Sequence, residues 1–110
     1  MRKLGQPKES EIQKAILDYL RLRGIFCWKN NSVGIYKKAT GSYISVGMKG
    51  VADILGVLGD GSGRLIAVEV KRPGNYPTPE QKLFLEQITA KKGIAFVAYG
   101  IEDCEKELNH

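Results

Sequence analysis

Three charged residues, Asp53, Glu69 and Lys71, stand within or at the end of two largely apolar runs. Asp53 lies in VADILGVL (residues 51–58), and Glu69 and Lys71 lie in RLIAVEVK (residues 64–71). Charges in such strands are costly unless they are paired, metal-bound or placed at a strand end. The intervening Gly59-Asp60-Gly61-Ser62-Gly63 is strongly turn-forming. A hairpin symmetric about Gly61 sets Asp53 opposite Glu69, and the alternation of side chains along a strand puts Lys71 on the same face. A slip of one residue in the turn would separate them. Two adjacent carboxylates repel each other until a positive charge intervenes. All-oxygen ligation suits Mg²⁺, and such a site can activate a water and stabilise charge on a transferring phosphoryl group. A Lys71–Glu69 ion pair at a sheet end, with Asp53 capping a turn, accounts for the same three residues without any ligand.

The elements around these strands follow from periodicity and punctuation. Residues 8–23 predict a helix, with Ile12, Ile16, Tyr19, Leu20 and Arg23 at helical spacing and Gly24 as its stop. Residues 25–28 form a short β-prone run ended by Asn30, Asn31 and Ser32. A hairpin is expected from 33–38 and 43–46 about Thr40-Gly41-Ser42. The runs 51–58 and 64–71, apolar on both faces, read as buried strands. Thr78-Pro79-Glu80-Gln81 is a strong helix start, because threonine caps, proline suits the first helical position and Gln81 completes a capping box. That helix should end near Lys92, followed by a strand at 94–99 and an acidic helix at 101–108. The order predicts an α/β fold with a mixed central sheet flanked by helices.

Composition removes several classes of function. The chain has 110 residues and 43% apolar content, enough for one domain (1–110) with its own core. The single histidine is His110, which argues against His-dependent nucleophilic or metal chemistry. Two cysteines, without C-x-x-C spacing, make neither a disulfide framework nor a zinc site. No apolar run reaches the roughly 18 residues of a membrane span, and Met1 to Ser10 is polar and basic rather than signal-like. The expectation is a soluble, reduced, cytoplasmic protein. Charge is divided unevenly: residues 1–50 hold ten Lys/Arg and three Asp/Glu, residues 51–110 seven and nine. A basic first half suits a polyanionic partner such as nucleic acid; a solvated basic face is the plainer alternative.

Asp53 followed by Glu69-Val70-Lys71 matches the D…E-x-K signature of the PD-(D/E)XK nuclease superfamily. The segments Glu9-Ser10-Glu11-Ile12-Gln13, Gly50-Val51-Ala52-Asp53-Ile54, Glu69-Val70-Lys71-Arg72 and Thr78-Pro79-Glu80-Gln81 occur in the order seen in VRR-NUC domains. From about residue 9 to 100 the chain resembles the small stand-alone VRR-NUC nucleases of phages and prophages. Ala52 departs from the proline of the superfamily name, at a position that is not a ligand. The resemblance implies a restriction-endonuclease-like core. It implies metal ligation by Asp53, Glu69 and the Val70 carbonyl, with Mg²⁺ as cofactor and Mn²⁺ as a substitute. Lys71 would be the catalytic lysine and Gln81 the active-site glutamine. It also implies a helix-1 glutamate. Glu9 fits better, since it lies three and seven residues before Ile12 and Ile16, with Glu11 in reserve; Gln13 shares the Glu9 face.

The expected function is a Mg²⁺-dependent endonuclease acting on four-way (Holliday) junctions or related branched DNA as a homodimer, in a bacterial or phage-infected cell. The alternatives are a non-catalytic nucleic-acid-binding module, a flap or linear-DNA nuclease, and an interaction protein whose charge cluster is structural. Lys29, Asn30, Asn31, Lys37, Lys38, Lys49 and Arg72 are candidates for DNA contact. Trp28 and Tyr36 offer stacking surfaces for bases, with core or dimer packing as their other use. Tyr76 sits in a Pro-rich loop that could close over DNA.

Overall fold

Local signals and the observed elements coincide closely in the computed structural model, which describes residues 5–30, 34–37, 39, 41–45 and 48–109. Helix α1 spans Glu9–Leu22, followed by β1 (Phe26–Lys29), β2 (Gly34–Lys37), β3 (Ser42–Ser45), β4 (Ile54–Val57) and β5 (Leu65–Val70). Helix α2 (Pro79–Ala90), β6 (Ile94–Ala98) and α3 (Ile101–Leu108) complete the order. The four-stranded sheet has the order β1-β4-β5-β6, and β2 and β3 pair separately as an antiparallel hairpin. Contacts β1/β4 and β4/β5 are antiparallel, while β5 and β6 run parallel, joined through α2. The mixed sheet expected from the element order is therefore present.

Helix α1 forms because its apolar residues recur at helical spacing; Ile12, Ile16 and Leu20 are buried on one side. The stripe is narrower than its periodicity suggested. Tyr19 is only partly buried, and its hydroxyl accepts a 2.7 Å hydrogen bond from Arg23. Helix α2 begins where the capping box places it, with Thr78 as N-cap and Pro79 in the first turn.

The sheet separates two cores. Ile12, Ile16 and Leu20 of α1 meet Cys27, Ile54, Ile66, Val68, Val70 and, from α3, Cys104 on one face. The other face has a smaller core of Ala52, Ala67 and Leu85, with Leu55, Phe84, Ile88, Ala95 and Val97 packed around it. Strand β5 feeds both through its alternation: Ile66, Val68 and Val70 point one way, Ala67 and Glu69 the other. No described helix is long and apolar enough to cross a membrane.

Candidate active site

The β4–β5 hairpin has the register expected about Gly61. Ile54 pairs with Val68 and Leu55 with Ala67. Asp53 lies one residue before β4, and instead of extending the ladder it reaches across: its Oδ2 accepts the Val70 N–H at 2.8 Å. From the other side the Asn30 N–H donates to the Asp53 carbonyl at 2.7 Å. Two strands thus hold this aspartate where β4 begins.

Glu69 is 2% exposed, the one charged residue buried among those described. It faces α2, whose first turn supplies its partner. Gln81 uses both ends of its amide. Oε1 accepts the Thr78 N–H at 2.8 Å, which completes the capping box. Nε2 donates to Glu69 Oε1 at 3.1 Å. The cap therefore orients the amide, since the oxygen is occupied at Thr78 and only the NH₂ can turn to the carboxylate. Lys71 Nζ lies 4.0 Å from the same Oε1, with its side chain 14% exposed. The other oxygen, Oε2, is buried and has no hydrogen-bond partner.

These surroundings push the Glu69 carboxyl up to about 8, from an ordinary 4.5. Burial is the main cause, followed by Asp53, which can share the Glu69 proton in a hydrogen bond once Glu69 is protonated and whose charge disfavours a second carboxylate; Lys71 opposes the shift, and the charge of Glu9 adds to it. Glu9 is thus electrostatically within reach of Glu69 and is partly buried. Glu11 is exposed and accepts the Lys8 N–H at 3.4 Å, as a cap of its own helix. The structure groups Asp53, Glu69, Lys71 and Gln81 at one end of the sheet; Glu9 reaches Glu69 only through its charge, and Glu11 is exposed.

A buried carboxylate oxygen without a partner, beside a second carboxylate, is an arrangement that a hard cation completes. Among the described residues no group of three or more His, Cys, Asp or Glu gathers as a metal cluster. The donors on offer are two carboxylates and backbone oxygen. That set fits Mg²⁺, which commonly takes one or two carboxylates and fills its shell with water and phosphate oxygens.

The candidate DNA contacts among the described residues come from different segments of the chain. Lys29 and Lys49 are exposed, Arg72 and Asn30 partly buried. Lys37 lies in β2, whereas Asn31 and Lys38 fall outside the described residues. Tyr36 is on β2, and Tyr76 is 78% exposed.

Two supports of the site carry weak signals in the sequence. Gly50 has φ +79°, and a Cβ there would lie 2.4 Å from the Glu80 carbonyl oxygen. Glycine alone lets the segment before Asp53 press against the start of α2, where Gln81 is. The glycine was visible as a turn signal, but its contact was not. Arg21, an unremarkable basic residue of α1, donates from Nε and Nη2 to the Cys27 carbonyl at 3.3 and 3.2 Å, fixing β1 to the helix.

No protein-family model and no curated protein sequence matches the chain. A solved structure described as a VRR_NUC domain does. It superposes with a TM-score of 0.64 over 93% of this chain and 95% of its own, at 23% sequence identity. Two carboxylates meeting at the end of a hairpin, beside a lysine and a helix-borne glutamine, are thus carried on a fold similar to that of this VRR_NUC domain.

Proposed function

We propose that the protein is a Mg²⁺-dependent DNA endonuclease that hydrolyses phosphodiester bonds at four-way or related branched junctions, acting as a homodimer in the cytoplasm of a bacterial or phage-infected cell. The observation that carries this reading is the buried Glu69 carboxylate, with Oε2 unpartnered, set against Asp53 and Lys71. A Lys71–Glu69 ion pair alone does not account for a second acid set against the buried Glu69 carboxyl.

Asp53, Glu69 and the Val70 carbonyl would hold the cation. When bound, Mg²⁺ supplies Lewis acidity at the phosphoryl oxygens and makes a water nucleophilic at neutral pH. The protein's own groups do the positioning. Asp53, held by the Val70 N–H, is fixed in place at the strand end. Gln81 orients Glu69 through Nε2. Lys71 places a cation where charge builds on the phosphoryl group. Glu9 adds a further acceptor from α1, positioned to order water. One small subunit offers limited surface for reading sequence, and a two-fold dimer would present two such sites to a substrate of matching symmetry.

A gel assay tests the proposal with a labelled four-way junction, a flap and a linear duplex, in Mg²⁺, Mn²⁺ or EDTA. Metal-dependent cutting of the junction that Lys71→Ala abolishes is expected. Binding without cutting by the wild type would sink the catalytic reading, and equal cutting of all substrates would remove the junction preference.

A further inference from the structure

The sheet face that carries Glu69 is covered over half its width. Helix α2 packs on β5 and β6, and the sheet continues beyond it through β4 to β1. Cys27 on β1 points into the larger core on the opposite face. Its neighbours Phe26 and Trp28 therefore lie on the α2 side. Trp28 pairs with Leu55 and Phe26 with Val57, and Leu55 packs against the core beneath α2. Yet Phe26 is 74% exposed and Trp28 39%, with ring centroids 5.5 Å apart and planes tilted by 54°. Neither ring is core.

The strand leads to the candidate site. Two residues beyond Trp28, the Asn30 N–H holds the Asp53 carbonyl at 2.7 Å. Lys29, between them, is exposed but by the same alternation leaves from the opposite face; the cation on the ring-bearing face is Lys71, beside Glu69. Exposed rings on a sheet face that runs on to Lys71 and the proposed phosphodiester-cleaving centre have the chemistry of a surface for unpaired bases: π faces for the bases, with positive charge for the backbone at the end where the site lies.

We infer that Phe26 and Trp28 form a stacking platform that seats unpaired bases of a single-stranded DNA segment leading to the Asp53–Glu69 site. The direction of that lead rests on the nuclease reading; the platform itself does not. A second copy of the chain is the competing occupant, by pairing along β1, which is an edge strand. The Arg21 guanidinium stands in its way, because it already occupies the Cys27 carbonyl that such pairing would use.

Trp28 is the sole tryptophan of the chain, so its emission reports on the platform directly. The protein is titrated in EDTA, which prevents cutting, with oligothymidylate and with a blunt duplex of equal length. The single strand should quench the emission at concentrations at which the duplex does not. Phe26→Ala should weaken oligothymidylate binding about tenfold, a typical loss for one stacked base. In anisotropy with a labelled oligothymidylate, Trp28→Ala should show a similar loss and Trp28→Phe should retain the affinity. The replaced side chains are exposed, and an unchanged thermal unfolding midpoint shows that each variant folds. Affinities unaffected by these changes, or duplex binding preferred without quenching, would overturn the platform. So would a wild-type dimer that Phe26→Ala converts to monomer without any quenching of the wild type by DNA; the patch would then belong to a second copy. The two proposals fail separately. Quenching without cleavage in Mg²⁺ keeps the platform and removes the nuclease, whereas cleavage insensitive to both rings keeps the nuclease and removes the platform.

Discussion

The two faces of the sheet are built for different ends. On the α1/α3 side, apolar residues from two helices and all four strands of the sheet close over one another, and Ile16, Leu20, Ile54, Ile66, Val68 and Val70 have no exposure. On the α2 side the buried residues are Ala52, Ala67 and Leu85, and a charged residue, Glu69, is buried beside them. Both faces use the same strands, so β5 alone alternates Ile-Val-Val with Ala-Glu. The difference shows how a small chain carries a costly polar site. Apolar burial contributes about 25 cal/mol per Å², and here it is concentrated on the face away from the acids. The other face has fewer fully buried residues and a partial cover, with a destabilising carboxylate among them.

If the faces divide stability and chemistry in this way, changing Glu69 should separate the two. Glu69→Gln keeps the shape and removes the charge. Cleavage should fall by about a thousandfold, roughly 4 kcal/mol of barrier, while in EDTA at pH 8 the thermal midpoint should rise. Loss of both stability and activity in paired melting and cleavage assays would contradict the division.

On the closed face the effect should be purely one of stability. Ile16→Ala should cost about 3–5 kcal/mol in urea unfolding, from lost burial plus a cavity. Leu85→Ala, on the thin face, should cost nearer 2 kcal/mol. A larger loss at Leu85 would reverse the ranking of the two cores.

The acid pair also predicts a pH dependence for the metal-free protein. The folded state holds the Glu69 proton up to about 8, and the ordinary value is 4.5. Between these values the folded chain binds more protons than the unfolded one, so stability declines as pH rises through that window. The contribution is complete below the lower value and gone above the upper one. Melting in EDTA from pH 5 to 8 should show the decline, Glu69→Gln should flatten it, and Mg²⁺ at pH 8 should restore the midpoint. An apo-protein profile that rises across the window would remove the buried-acid argument.

Smaller effects concern the contact between α2 and the segment before Asp53. Gly50→Ala meets both a positive φ and the Glu80 carbonyl, and should cost about 1–3 kcal/mol. Cleavage should drop with it, because Gln81 shifts from Glu69. Thr78→Ala removes one cap hydrogen bond and should cost about 1 kcal/mol. The backbone N–H that holds Gln81 Oε1 remains in this variant, so cleavage should change little. A large loss of activity would show that the threonine side chain, and not the backbone, orients the Gln81 amide.

Much of this arrangement was legible before folding was considered. The capping box Thr78-Pro79-Glu80-Gln81 and the Gly-rich turn about Gly61 act over a few residues, so the chain states them directly, and the turn carries the register that sets Asp53 beside Glu69. The same locality explains α1, whose isoleucines recur at helical spacing. Three-dimensional packing alone settled the rest. In IFCW alternation requires two faces but does not say which is covered. That Cys27 is buried while Phe26 and Trp28 are exposed depends on where α2 stops across the sheet. Glu9 and Glu11 differ by two positions on one helix, and it is the docking of α1 that brings Glu9 toward Glu69 and leaves Glu11 to cap its own helix. The idle Oε2 has the same origin. A carboxylate in a sequence does not reveal how many partners the folded chain brings to it, because those partners arrive from strands and helices distant along the chain.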